Sequence, residues 1–296
     1  MQKLLCLLDF VPNHEFNEII ALVYDLKPSI RFVLSDFKKY IYLRNLLHEF
    51  NIYTSFSSYQ ILYDKLDFSY SLEPTNNNEN EIHFFYASKS KEVLRRVKEI
   101  DCKLHRFILN KISGDFDFNF CSYFGVLLGY PKCCVDEFVA LRARESSDYL
   151  KNAHNKSNFH SIYANYYDLK RKDKHSLISH YPCSFSCEKT IEYGEKLLSI
   201  LNDLDEEYYK GLVSNLSETL YYVSNESSIK LIGTKENSCF KFDSFEVYAE
   251  DKELIEYFRK SNKIIVNGKV SLLNDDEVVV EFSENSKNHG ILLTFE

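Results

Sequence analysis

The sequence predicts a mixed α/β protein with an N-terminal α/β layer, a helical middle segment carrying a cysteine cluster, and a β-rich C-terminal part. Three observations predict it. Up to about residue 115, short apolar runs alternate with segments of helical period. From Phe120 to about Leu220 the periodicity is helical and strand signals are scarce. Beyond Thr219, β-branched and aromatic runs bounded by turn residues return. The implied domains are 1–115, 116–218 and 219–296.

In chain order, Lys3–Phe10 reads as a strand and Asn13–Leu26 as a helix closed by Pro28. Ile30–Leu34 is a second strand, followed by a helix over Asp36–Phe50 with Ser35 as its N-cap. Ile52–Ser55 is a third strand and Glu81–Ala87 a clearer one, with a helix from about Ser90 to Ile100. Leu72–Asn80, with Pro74 and three consecutive Asn, reads as a surface loop. This alternation implies a mostly parallel sheet, because parallel neighbours need helical crossovers. In the middle, helices are expected over Cys121–Leu128, from Pro131 towards Asn152, over Asn158–Leu169 and over Phe185–Leu201. The tail reads as strands Thr219–Val223, Ser228–Ile232, Cys239–Tyr248, Lys263–Val266, Lys269–Leu273, Glu277–Phe282 and Ile291–Phe295, with a helix over Asp251–Lys260. Asn267-Gly268 between two apolar runs is a hairpin signal.

The 296 residues are enough to bury a substantial core, and the formal charge of −8 disfavours nucleic acid or an anionic membrane as a general partner. No run approaches the roughly 18 apolar residues of a membrane-spanning helix. Leu4–Leu8 is too short for a signal peptide and lacks a cleavage site after it. A cytoplasmic location is the expectation, and there clustered cysteines serve as metal ligands or redox groups more often than as disulfides. The chain has only eight glycines and no phosphate-binding loop or nucleophile-elbow motif.

Four of the eight cysteines lie in two segments that each open with one of the five prolines, Pro131-Lys132-Cys133-Cys134 and Pro182-Cys183-Ser184-Phe185-Ser186-Cys187. Proline favours the first turn of a helix, where unpaired N–H groups and the dipole stabilise a thiolate. Two helix N-termini that bring sulfur ligands together are the simplest expectation. Adjacent Cα atoms are only about 3.8 Å apart, too close for an ordinary disulfide. On a helix, Cys133 and Cys134 point about 100° apart, so one can face a site while the other packs inward, or both can flank it. Cys183 and Cys187, four apart, would share a helix face with Cβ atoms about 5–6 Å apart, which suits two ligands of one metal better than a disulfide. If the helix begins only at Ser184, Cys183 is free to move and a disulfide becomes possible. The remaining cysteines, Cys6, Cys102, Cys121 and Cys239, fall on apolar runs and read as small core residues.

His180 enters the second segment and can complete a Cys-rich site or act as a base towards a thiol; its bland reading is a surface or hydrogen-bonded histidine. The same bland reading covers His154, His160 and His175. Lys170–His175 is a basic run, ordinarily a solvated loop, in which Lys172 and Lys174 are candidate anion-binding residues beside the site. Asp136 and Glu137 suit the first turns of a helix.

The segments Gly129-Tyr130-Pro131-x-Cys133-Cys134-x-x-x-Phe138 and His180-x-Pro182-Cys183-Ser184-x-x-Cys187 resemble the signature of an uncharacterised prokaryotic family found in archaea and some bacteria. The resemblance covers roughly residues 120–200. It implies no reaction, only that the two cysteine segments belong together.

The leading expectation is a cytoplasmic metalloprotein in which Cys133, Cys134, Cys183 and Cys187 bind an iron–sulfur cluster or zinc, with the irregular spacing favouring iron–sulfur. Catalysis on a small-molecule substrate would require an open metal position, with only three of the four cysteines bound. One alternative is a metal-free thiol enzyme, with Cys134 or Cys183 as nucleophile, His180 as base and a second cysteine as resolving thiol. Another is a structural zinc site in a binding module.

Overall fold

A computed structural model of the chain describes residues 2–34, 37–63, 70–74, 82–109, 118–143, 148–166, 176–224, 227–236, 239–249 and 251–296. A short helix α1 (Gln2–Leu5) runs into a 3-10 turn, and α2 (Asn13–Val23) follows. Here the sequence expectation of a strand over Lys3–Phe10 fails. Leu4, Leu7 and Val11 are buried, a helical spacing that a short apolar run does not distinguish from a strand.

The N-terminal sheet comprises β1 (Ser29–Leu34), β2 (Tyr53–Tyr63), β3 (Tyr70–Pro74) and β4 (Ile82–Ser88), with α3 (Phe37–His48) between β1 and β2 and α4 (Lys91–Leu109) after β4. Its strand order is β1-β4-β2-β3, and every pairing is antiparallel. The expected parallel sheet is therefore wrong. α3 does carry the chain from β1 to β2, but those strands are not neighbours. The stretch read as a loop begins inside β3, which reverses the chain after β2, and β4 lies between β1 and β2 antiparallel to both. Ser35, the expected cap of α3, lies outside the described residues.

The middle is helical, with α5 (Phe118–Leu127), α6 (Lys132–Ala143), α7 (Tyr149–Asn155), α8 (Glu188–Leu204) and α9 (Glu206–Leu216). The single long helix expected from Pro131 towards Asn152 is instead α6 and α7. The Asp148 side chain caps α7 by accepting from the Lys151 N–H at 3.0 Å. In place of a helix over Asn158–Leu169, the described residues hold only a 3-10 turn at Ile162–Ala164.

The C-terminal strands are legible in the sequence. β5 (Thr219–Ser224), β6 (Ser227–Glu236), β7 (Cys239–Ala249), β8 (Lys263–Asn267), β9 (Lys269–Asn274), β10 (Glu277–Phe282) and β11 (Ile291–Leu293) form a sheet in the order β10-β9-β8-β7-β6-β5-β11. Gly268, at φ +67°, turns β8 into β9 as the Asn-Gly signal requires. α10 (Lys252–Arg259), capped by Asp251, lays Phe258 on Tyr221, Phe242 and Phe245 of this sheet. Among the described residues no helix is long and apolar enough to cross a membrane.

One buried cluster draws on all three stretches. It includes Phe16 and Ile20 of α2, Leu43 and Leu47 of α3, Phe85 of β4, Leu150 of α7, Leu197 and Leu201 of α8, and Tyr222 of β5. Burying each such side chain contributes about 1.5–3 kcal/mol. α2 is buried all round, from Glu15 to Leu22, so its polar residues Asn17 and Glu18 lie inside the protein. That placement matters for the site.

Gly129 ends α5 and begins the turn into α6. The Tyr130 N–H reaches back to the Gly125 carbonyl at 3.0 Å, closing a left-handed cap with Gly129 at φ +78°. A Cβ at Gly129 would lie 2.6 Å from Cδ of Pro28. Gly129→Ala is expected to cost about 1–3 kcal/mol from the left-handed backbone alone, with the Pro28 clash in addition. The check is a urea unfolding midpoint, and an unchanged midpoint contradicts this account of the turn.

Candidate metal centre

Pro131 opens α6 as expected. Its carbonyl accepts from the Cys134 N–H at 2.9 Å and the Val135 N–H at 3.0 Å, so Cys133 and Cys134 occupy the first turn. The second segment does not behave as expected. α8 begins at Glu188, Cys187 is its N-cap, and Cys183 lies in the preceding loop, so the two do not share a helix face. Pro182 starts no helix. The Cys187 N–H instead reaches the Ser184 carbonyl at 3.1 Å, and this turn folds Cys183 back beside Cys187.

The four thiols converge. Cys133 Sγ is 3.7 Å and Cys134 Sγ 3.8 Å from Cys187 Sγ. All four sulfurs lie within 4.8 Å of one another and can hold a metal ion. Both members of the adjacent pair contribute. Cys134 and Cys187 are buried, Cys183 is half-buried and Cys133 is exposed. The N-termini of α6 and α8 both meet the cluster, and their unpaired N–H groups favour negative charge there.

Cys134 Sγ is the most tightly held. It lies 3.3 Å from Thr190 Oγ1 and accepts from the Cys183 N–H at 3.4 Å. Hydrogen bonds to Cys183 and Cys187, together with burial, push its pKa up. Cys187 is pushed down by the thiols of Cys134 and Cys183, with the Thr190 hydroxyl assisting. For Cys183 the Cys134 bond pulls downward, but the Cys187 bond and burial win and raise it to about 12.

His180 is buried, and its Nε2 lies 3.1 Å from Thr190 Oγ1, so it reaches Cys134 through that hydroxyl. Burial pushes its pKa down to about 3, and the charge of Lys27 adds to the effect. The ring is neutral at pH 7. Tyr130 lies 5.3 Å from His180 by ring centroids, and Lys27 Nζ sits 4.7 Å over the Tyr130 ring. Lys27 also bonds Glu18 Oε2, a pair in which both side chains are buried, and donates to Ser179 Oγ at 3.1 Å. Glu18 Oε1 and the Tyr193 hydroxyl are buried nearby with no hydrogen-bond partner among the described residues, and the Glu18 charge is felt at Tyr193.

Aromatic stacking supports the outer side. Phe138 of α6 stacks on Tyr149 and Tyr181 at 5.2 and 6.0 Å, and Tyr181 stacks on Tyr149 at 4.4 Å. The loop is pinned further by Asn17 Nδ2, which donates to the Ser176 carbonyl at 3.1 Å, and by the Phe185 N–H, which donates to Ser157 Oγ at 2.7 Å. The motif residues divide the construction of the centre between them. Gly129 turns the chain, Pro131 starts α6, Phe138 and Tyr181 stack, and His180 and Thr190 orient Cys134.

Residues 82–220 match DUF483, a family described as protein of unknown function. The DUF483-like stretch runs from β4 into β5 and contains both cysteine segments, His180 and Thr190. Glu18 and Lys27 precede it. No curated protein and no solved structure matches the chain.

Other sequence candidates lie elsewhere. Lys172, Lys174 and His175 fall outside the described residues. Asp136 pairs with Lys132 at 2.7 Å, and Glu137 pairs with Lys156 at 2.6 Å. Cys6 is exposed, and Cys102, Cys121 and Cys239 are half-buried, so the core role expected for these four is not what the fold gives them. Sequence reasoning misses Thr190, Glu18, Lys27, Ser179 and Tyr193. The only signal for them was two charges, Glu18 and Lys27, flanking an apolar stretch of α2.

His154 and His160 lie beside the loop, Nδ1 to Nε2 at 2.9 Å, with His160 against Phe185. Burial, with His154 adding, pushes His160 down to about 4, and burial lowers His154. An unfolded histidine titrates near 6.5, so the unfolded chain binds more protons between these values. Depressed folded pKa values mean this stability is complete above about pH 6.5 and is lost as pH falls towards 4, by about 1.4 kcal/mol per pH unit for each extra proton. His180 acts in the same direction. Denaturant midpoints of the chelator-treated protein between pH 7 and 4.5 are expected to fall, and less steeply in His160→Gln. An equal slope in the variant refutes the assignment to His160.

Proposed function

We propose that the protein is a metalloprotein whose Cys133, Cys134, Cys183 and Cys187 hold one tetrahedral ion, zinc in the first instance. The ion fastens the start of α6 to the start of α8. The inter-sulfur spacing carries this reading. Zinc–sulfur bonds of about 2.3 Å at tetrahedral angles separate sulfurs by about 3.7–3.8 Å, and the two Sγ distances to Cys187 are 3.7 and 3.8 Å. An iron–sulfur cluster distributes its thiolates over several irons and needs a wider sulfur set. The compact span therefore favours a single ion over the cluster that the irregular sequence spacing suggests. A reduced thiol set of this kind suits a reducing compartment such as the cytoplasm.

The metal-free thiol enzyme is less well supported. His180 meets Thr190 rather than a thiol, and the two candidate nucleophiles, Cys134 and Cys183, are both pushed up in pKa. Oxygen-free purification followed by metal analysis and a visible spectrum tests the reading. One zinc per chain and a colourless solution are expected. Stoichiometric iron with broad blue absorption would replace zinc by a cluster, and metal-free protein with a fast-reacting thiol would favour the enzyme alternative.

A further inference from the structure

The four thiols are unequal, and the inequality has a direction. Cys134 is buried, accepts a backbone N–H and contacts the Thr190 hydroxyl. Cys187 is buried, caps α8 and stands at the centre of the set, close to both Cys133 and Cys134. Cys183 is half-buried and fixed by the Ser184–Cys187 turn, and its own N–H holds Cys134. Cys133 alone is exposed, on the outer edge of the first turn of α6. Its hydrogen-bond-distance contact is the thiol of Cys187 at 3.7 Å. Its neighbours Lys132 and Asp136 are exposed and paired with each other at 2.7 Å. Three ligands are thus held by the fold, while the fourth faces solvent.

Resting on the metal reading above, we propose that the centre is a three-plus-one site. Cys134, Cys183 and Cys187 are permanent ligands, and Cys133 is the exchangeable one, which gives way to a thiol-bearing small molecule. Rotation about its Cα–Cβ bond moves Cys133 into solvent without disturbing the buried side of the centre. The exchange is balanced: the incoming thiol binds as thiolate and its proton passes to the departing Cys133 thiolate, with no oxidant or reductant. The two helix N-termini favour an anionic sulfur in the vacated position.

The test loads the full chain with cobalt(II), whose thiolate charge-transfer bands report ligand number, and compares wild type, Cys133→Ala and Cys134→Ala. Cys133→Ala is expected to keep one cobalt per chain with affinity reduced about tenfold, and Cys134→Ala to lose about a thousandfold or more. Adding 2-mercaptoethanol to cobalt-loaded Cys133→Ala is expected to restore the missing charge-transfer intensity. Equal losses of affinity in the two variants overturn the inference, as does a Cys133→Ala spectrum indifferent to millimolar thiol. Wild type that takes up neither cobalt nor zinc overturns the metal reading itself, an outcome distinct from either of those.

Discussion

Replacing Cys187 by alanine is expected to abolish stoichiometric zinc binding and to release the loop at 176–187 from α6. Cys187 Sγ lies 3.7 Å from Cys133 Sγ and 3.8 Å from Cys134 Sγ, and Cys187 is also the N-cap of α8. Its loss removes one of the four sulfur donors of the proposed centre. Structural zinc sites in small modules bind with apparent free energies of about 10–16 kcal/mol, so removal of the ion can unfold what it joins. Here the core shared by α2, α3, α7 and α8 retains part of the structure, and partial loss is the expectation. Metal analysis of the purified variant and thermal melts with and without chelator provide the measurement. Wild type should melt lower in chelator, the variant should not respond, and Cys239→Ala should behave as wild type. A Cys187 variant that keeps one zinc and a normal melt sinks the proposed centre.

Lys27→Met is the second change with a large expected effect. The Lys27–Glu18 pair is buried on both sides, and Lys27 also holds Ser179 and lies over Tyr130. Removing one partner strands a carboxylate that already has one unpaired oxygen, Oε1. Breaking a buried pair in this way costs about 3–5 kcal/mol, whereas replacing both partners by apolar groups of similar volume is often neutral. The single variant is therefore expected to lose most of that energy in chemical denaturation, and Glu18→Leu/Lys27→Met to recover most of it. A single variant within about 1 kcal/mol of wild type contradicts the account, since that is what an exposed pair is worth.

Legibility differs along the chain for physical reasons. The β-rich tail is readable because its β-branched and aromatic runs are bounded by turn residues, and Asn267-Gly268 fixes a local turn. Helices α3, α4 and α8 follow from periodicity to within a few residues, except for the end of α4. The N-terminal run misleads because Leu4, Leu7 and Val11 satisfy either period over so short a span. The sheet direction is hidden because β3 carries Pro74 at its end and turn-forming residues after it, so local signals mask a strand that only pairing with β2 reveals. The cysteine segments are legible because thiols in short, Pro-opened clusters have few purposes. Glu18 and Lys27 are not, since a charge near an apolar helix face reads as exposed until a partner buries it.

What the residues alone decided is chemical: four soft sulfur donors in two segments, a proline to start α6, and a glycine able to take the left-handed turn before it. What folding decided is arrangement. Residues about fifty positions apart meet only because α2 fills the core behind the loop and aromatic rings stack Phe138 on Tyr181. The helix expected from Pro182 yields to a turn in which the Cys187 N–H reaches the Ser184 carbonyl, and this turn, not a shared helix face, sets Cys183 beside the other three sulfurs. Sequence specifies which atoms can serve a site, and long-range packing sets the distances between them.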